Sequence, residues 1–273
     1  MTPQAHICFA CGTQFPESET APSGCPICDD ERQFVPAAGQ RFTTMKEVRA
    51  NCQNEIRQVD EGLHEILMRP NFGLGQRAYL VQTPQGNILW DCVSLIDPGT
   101  VSAIWALGGV AAIAISHPHY YSSMVEWSRA FGGIPIYLHS GDRKWIMRTD
   151  PAINSWDGER RELPGGATMI RCGGHFDGGA VMHWSAGAGG KGIMLTGDVI
   201  QVVPDRRWVS FMFSYPNLIP LNADAVKRVV AAIEPFRFER IFGAFGHVVE
   251  ADGMGALKRS AERYLKAIGA ETA

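Results

Sequence analysis

Ala114-Ile115-Ser116-His117-Pro118-His119-Tyr120-Tyr121-Ser122 decides the reading of this chain: an apolar, β-leaning run ends, and two histidines follow two residues apart. Imidazoles at i and i+2 beyond a strand can face one side, and a rigid strand holds them well enough to bind a transition metal. His-x-His alone is a short pattern with many chance occurrences, so the other strand ends decide its meaning. His175 sits in the glycine-rich turn Cys172-Gly173-Gly174-His175, after the β-like run Ala167 to Ile170. Asp198 closes the apolar run Ile193-Met194-Leu195-Thr196-Gly197, and His247 closes Arg240-Ile241-Phe242-Gly243-Ala244-Phe245-Gly246. Loops at strand ends are where a sheet protein gathers functional groups. Four such ends delivering imidazoles and a carboxylate read as one metal site.

In order and spacing these segments resemble the metallo-β-lactamase superfamily, whose pattern is His-x-His-x-Asp-His, Gly-Gly-His, Thr-Gly-Asp and a late histidine. The resemblance spans residues 66–268 and includes Leu89-Trp90-Asp91 as the strand that ends in aspartate. It implies an α/β fold, an αββα sandwich of two mixed sheets packed face to face with helices outside and the metal at one sheet edge. It also implies ligands: His117, His119 and His175 for a first metal, Asp198 as the bridging ligand, and His247 from the second-metal set. One departure bears on the metal count. Where the family has its Asp-His pair, this chain has Tyr121 and Ser122. A neutral phenol with a pKa of about 10 is a poor zinc ligand and a serine hydroxyl a worse one, so one ion is expected here and not two.

A second signal stands at the N-terminus, where Cys8-Phe9-Ala10-Cys11 and Cys25-Pro26-Ile27-Cys28 form two Cys-x2-Cys knuckles. Four thiolates so spaced can surround one ion tetrahedrally, whereas a disulfide across two residues is strained. The module resembles the rubredoxin-like zinc ribbons, which leaves zinc or iron open, since both accept four sulfurs; zinc is the expected structural ion. So short a segment cannot bury enough apolar surface to fold without its metal. The chain therefore divides into a ribbon at 1–36 and a metallo-β-lactamase-like domain at 37–273, and the ribbon is a candidate surface for a protein partner.

The chain has 273 residues, 45% of them hydrophobic, enough for a sandwich core plus a small module. A net charge of -3 offers no basic field to draw nucleic acid or an anionic membrane. The start Met1-Thr2-Pro3-Gln4-Ala5-His6 lacks a basic and apolar leader, and no apolar run reaches the eighteen or so residues that span a bilayer. A reducing cytoplasm is the expected setting, with Cys52, Cys92 and Cys172 as buried thiols.

Thr44 to Asn54 reads as a helix capped by Thr43 or Thr44, and Tyr79 to Asp91 as a hairpin. Ser122 to Phe131 has near-helical spacing, and Ile134 to Leu138 then reads as a strand. Asp224 to Ile233 and Gly255 to Ile268 read as outer amphipathic helices. The aromatic stretch from Trp208 to Pro220 fits either an edge strand on the core or a wall of the metal cleft.

Three imidazoles leave a zinc ion its charge, so that it lowers the pKa of bound water to about 7. The expected function is thus metal-dependent hydrolysis of a small ester, lactone or thioester by metal-bound hydroxide, in a mononuclear or degenerate site. Asp198 acts as ligand or base, and Tyr120 or Tyr121 stabilises the oxyanion or protonates the leaving group. Two other classes stay open. His117, His175 and Asp198 alone would form a two-histidine, one-carboxylate iron face, as in the sulfur dioxygenases of the superfamily. Alternatively, loss of the Asp-His pair has left a non-catalytic metal-binding protein.

Overall fold

The computed structural model describes residues 2–270. Ile88-Leu89-Trp90 is apolar at every position because its strand is covered on both faces, and side chains alternate between them. Ile88 and Trp90 point into a core shared with a second sheet, whereas Leu89 packs under helices. Ile193 and Leu195 alternate with Met194 in the same way in the second sheet.

The first sheet has seven strands, in spatial order Ile153–Trp156, Ile136–His139, Ala112–Ala114, Ile88–Trp90, Ala78–Val81, Leu63–Arg69 and Gln53–Asp60. The second has six: Arg160–Leu163, Ala167–Arg171, Ala180–Trp184, Ile193–Leu195, Arg240–Phe242 and Val248–Val249. Both are mixed; Ile88–Trp90, Ala112–Ala114 and Ile136–His139 run parallel, as do Ile193–Leu195 and Arg240–Phe242. Between the sheets lie Leu63, Tyr79, Trp90, Met169, Met182 and Leu195. Outside the first sheet, Val48, Ile104 and Trp127 bring in the helices Met45–Asn51, Pro98–Ala106 and Met124–Ala130. Outside the second, Val226, Val229 and Leu257 bring in Ala223–Ile233 and Gly253–Ala267. The order of layers is the αββα sandwich that the strand-end motifs imply.

The helix expected from Thr44 to Asn54 begins at Met45 with Thr44 and Glu47 in a reciprocal capping box, and stops at Asn51. It stops early because Gln53 already pairs with Arg69 in an edge strand. The N-terminal cysteines sit on a separate three-stranded sheet, Gln14–Ser18, Gln4–Cys8 and Phe42–Thr44, whose last strand follows the boundary expected at residue 36. That module lies against the sandwich: Gln14 N–H donates to Ser122 O at 3.0 Å, and Ser94 Oγ donates to Gly12 O at 3.1 Å. No helix among the described residues is long and apolar enough to cross a membrane.

Candidate metal centre

His117 follows the strand Ala112–Ala114 in extended backbone, and the single turn Pro118–Tyr120 then swings His119 back beside it. His175 lies beyond Ala167–Arg171, where Gly173 and Gly174 take positive φ and fold the loop back. Asp198 lies beyond Ile193–Leu195, after Gly197 at φ 55°. A Cβ on Gly197 would stand 2.6 Å from Ser116 Oγ, so only glycine lets these two strand ends approach so closely.

The ligand atoms of His117, His119, His175 and Asp198 all lie within 4.8 Å of one another, and all four residues are buried. His175 Nε2 is 3.2 Å from His119 Nδ1, and His117 Nε2 is 2.9 Å from Asp198 Oδ1. His175 Nδ1 faces Met212 O at 3.2 Å; a carbonyl only accepts, so that nitrogen carries the proton and Nε2 keeps its lone pair. His117 Nδ1 lies 2.8 Å from Ser116 Oγ, which fixes the ring with Nε2 turned to the cluster. Yet His117 Nε2 and Asp198 Oδ1 have no hydrogen-bond partner among the described residues. Buried acceptors left unpaired are costly, and lone pairs converging at the edge lengths of a tetrahedron about 2.0 Å in radius, near 3.3 Å, fit a cation. His119 belongs to the same group as His117, His175 and Asp198.

Charge agrees with that fit. Burial works against ionisation of Asp198, but the neighbouring His117 and His175 outweigh it and hold the carboxyl below its usual range. Burial pushes His175 down to about 4 and His119 well below its usual value, so both imidazoles are neutral ligands at neutral pH.

Tyr120 packs against His117 with ring centroids 4.5 Å apart. Burial, and then the charges of Asp198 and Asp91, push its phenol well above the usual value, so it stays protonated. Tyr121 instead packs in the core under the first sheet with Met124 and Val125, and lines a small cavity with Thr13 and Gln14 of the N-terminal module. Ser122 Oγ meets Ser94 Oγ at 2.9 Å, so the two residues that replace the Asp-His pair are engaged in seating that module. His247 is not brought into the donor group: its Nδ1 faces Val202 O at 3.4 Å. Cys172 is a buried thiol as expected, and burial pushes it up to about 12.

The four N-terminal cysteines form the second metal-competent group. Cys8 and Cys28 sulfurs are 3.7 Å apart and Cys11 and Cys25 sulfurs 3.6 Å, near the edge of about 3.8 Å for a tetrahedron of sulfurs 2.3 Å from an ion. All are free thiols. Hydrogen bonding to Cys11 draws Cys8 down, while hydrogen bonding to Cys25 lifts Cys11, the behaviour of sulfurs competing for protons in one small space.

Sequence reasoning missed the residues that roof the site. Arg32 and Gln33, a few positions past the second knuckle, line a cavity of about 330 Å³ with His119, His175 and Asp198. Arg32 donates to His175 O at 3.3 Å and lies over the Phe176 ring at 4.2 Å. Tyr215 and Pro216, from the aromatic stretch, form a wall of that cavity, while Phe211 of the same stretch is core. Both readings of that stretch hold, for different residues.

No family model matches the chain. It is 46% identical over 268 residues to the uncharacterized protein YmaE of Bacillus subtilis (strain 168), covering 97% of each chain. Among solved structures it resembles a B3 metallo-β-lactamase with an active-site glutamic acid, at TM-score 0.56 and 17% identity, over 84% of this chain and 94% of that one. It likewise resembles DIM-1 metallo-β-lactamase, at TM-score 0.58 and 14% identity, over 79% and 98%. A third is MEM-A1, a subclass B3 metallo-β-lactamase from a soil metagenome library, at TM-score 0.53 and 18% identity, over 81% and 99%. At such identities the likeness is one of fold.

Proposed function

Because this chain belongs to the family of Bacillus subtilis YmaE and is built on the metallo-β-lactamase fold, we propose that it is a metal-dependent hydrolase of small acyl compounds: esters, lactones or thioesters. One observation carries the reading: the ligand atoms of three buried histidines and of Asp198 lie within 4.8 Å of one another, and His119, His175 and Asp198 line a cavity large enough for a small molecule. His117, His119, His175 and Asp198 would hold a zinc ion, which when bound would supply Lewis acidity for a carbonyl and for water. Asp198, held as a carboxylate, accepts a hydrogen bond from the attacking water and orients it. Ser116 Oγ and Met212 O keep the rings of His117 and His175 in place. Tyr120, protonated and adjacent, donates to the leaving group, a role closed to Tyr121 in the core. Cys8, Cys11, Cys25 and Cys28 would hold a structural zinc.

The test is a panel of esters, lactones and thioesters assayed with intact protein, chelated protein, His119→Ala and Asp198→Asn, alongside metal analysis per chain. His119→Ala is expected to lose one metal and activity together. Asp198→Asn keeps the size but not the charge, and should lower kcat on the order of a hundredfold. Turnover that survives both chelation and Asp198→Asn rules this mechanism out.

A further inference from the structure

The cavity above the donor group has a composition that says what enters it. Its walls are Leu74, Tyr215, Pro216 and Phe245, all apolar apart from a Tyr215 hydroxyl already donated to Asp198 O at 2.9 Å. Its one cation, Arg32, is spent: Nε lies 2.6 Å from Asp30 Oδ1, Nη1 donates to His175 O, and the guanidinium plane is over Phe176 and Phe213. An anionic substrate would find no uncommitted positive side chain in that lining. Gln33 is the exception. It is only 8% exposed and lines the cavity, its backbone oxygen accepts from Asn217 Nδ2 at 2.9 Å, and its side-chain amide makes no hydrogen bond among the described residues. An amide with no partner in the protein is free to bond the polar group of a ligand in the cavity.

We propose that the cavity selects neutral acyl substrates with a medium-length aliphatic chain, the chain lying against Leu74, Pro216 and Phe245 while the Gln33 amide hydrogen-bonds the polar head. This inference rests on the hydrolase reading above and names its substrate class. Volume sets the length: at roughly 30 Å³ per small group, 330 Å³ holds about ten non-hydrogen atoms. Apolar surface continues outward on the two segments that Asn217 ties together, where Phe34 is 50% and Leu218 79% exposed. In the reaction, water oxygen bonds to the acyl carbon, the acyl C–O bond breaks, and a proton from the water ends on the leaving oxygen.

Two measurements test the proposal on the full chain with its metals. For p-nitrophenyl esters of two to ten carbons, kcat/KM should rise about three- to fourfold per methylene until the cavity is filled. Phe245→Ser should flatten that rise, and Gln33→Leu should raise KM about tenfold at every length. Because Phe245 is at the surface, Phe245→Ser remains informative even where Gln33→Leu unseats the N-terminal module. Calorimetry with acetamide and decanamide, which are bound but not turned over, reads the subsite without catalysis; decanamide should bind at least a hundredfold more tightly. Equal binding of the two amides, or a flat ester series in the unmodified protein, overturns the proposal. Chain-dependent amide binding with no turnover of any ester supports this subsite and overturns the hydrolase reading instead.

Discussion

Ser116 ties the metal centre to its scaffold through two atoms: its amide N–H donates to Asp91 Oδ1 at 2.8 Å, and its hydroxyl meets His117 Nδ1. Partners of this kind orient a ligand ring and tune its basicity, and their loss costs 10- to 100-fold in metal affinity. Ser116→Ala should therefore weaken metal binding by about that factor in competition with a chelator, while the fold remains intact. An unchanged affinity would mean that ring packing alone holds His117. The adjacent tyrosines divide in the same spirit. Tyr120→Phe should lower kcat at least on the order of tenfold with metal content unchanged, because it removes a proton donor beside the site. Tyr121→Phe should alter neither metal content nor kcat, since that ring serves the core. Equal losses in the two variants would contradict this division.

The loop that delivers His175 is braced from the first sheet. Asp142, buried after the strand Ile136–His139, accepts from Gly178 N–H at 2.8 Å. Burial pushes its carboxyl up to about 6, against the lowering effects of that N–H and of His117. A raised carboxyl means that the folded protein holds a proton which the unfolded chain, with an ordinary pKa near 4, has already lost. Between about pH 4 and pH 6 the folded state binds more protons, so this residue's contribution makes stability fall as pH rises through that window. The cost is on the order of 3 kcal/mol when fully ionised. Asp142→Asn keeps an acceptor for Gly178 and removes the titration. Denaturant unfolding at pH 4 and at pH 7 should show the variant gaining on the unmodified protein at the higher pH; parallel pH profiles would show that Asp142 is not desolvated as described.

The N-terminal module closes the cleft rather than hanging beside it. Ser214 Oγ donates to Arg32 O at 3.1 Å, Asn217 Nδ2 donates to Glu31 O and Gln33 O, and Arg32 reaches His175 O. These contacts hold Arg32 and Gln33 over the donor group, so the integrity of a thiol cluster in one part of the molecule bears on access to the histidines in another. Cys25→Ser removes a thiolate from a module too small to fold without its ion. The expected result is one metal fewer per chain, an N-terminal segment open to protease, and a lower kcat/KM from loss of the cavity roof, while the sandwich keeps its own metal. A full metal count in Cys25→Ser would show that the four sulfurs do not share an ion.

The donors were legible without coordinates because each sits at the end of a strand whose pattern is local. Ile193-Met194-Leu195 announces a strand covered on both faces, and Thr196-Gly197-Asp198 announces its exit, with no knowledge of the rest of the chain. The same holds for the cysteine knuckles and the Thr44–Glu47 cap, where the partners are three residues apart. Tertiary structure alone decided which donors meet and what covers them. His247 is expected at a strand end, but its strand stops at Phe242 and the turn through Gly246 leaves its Nδ1 facing Val202 O and outside the donor group. Arg32 looks in sequence like one more solvated cation, and only the fold places it on a carbonyl 143 residues away. Hydrophobic alternation and turn chemistry act within a few residues and so are written locally. The seating of one unit on another depends on surfaces assembled from distant segments, which no local pattern encodes.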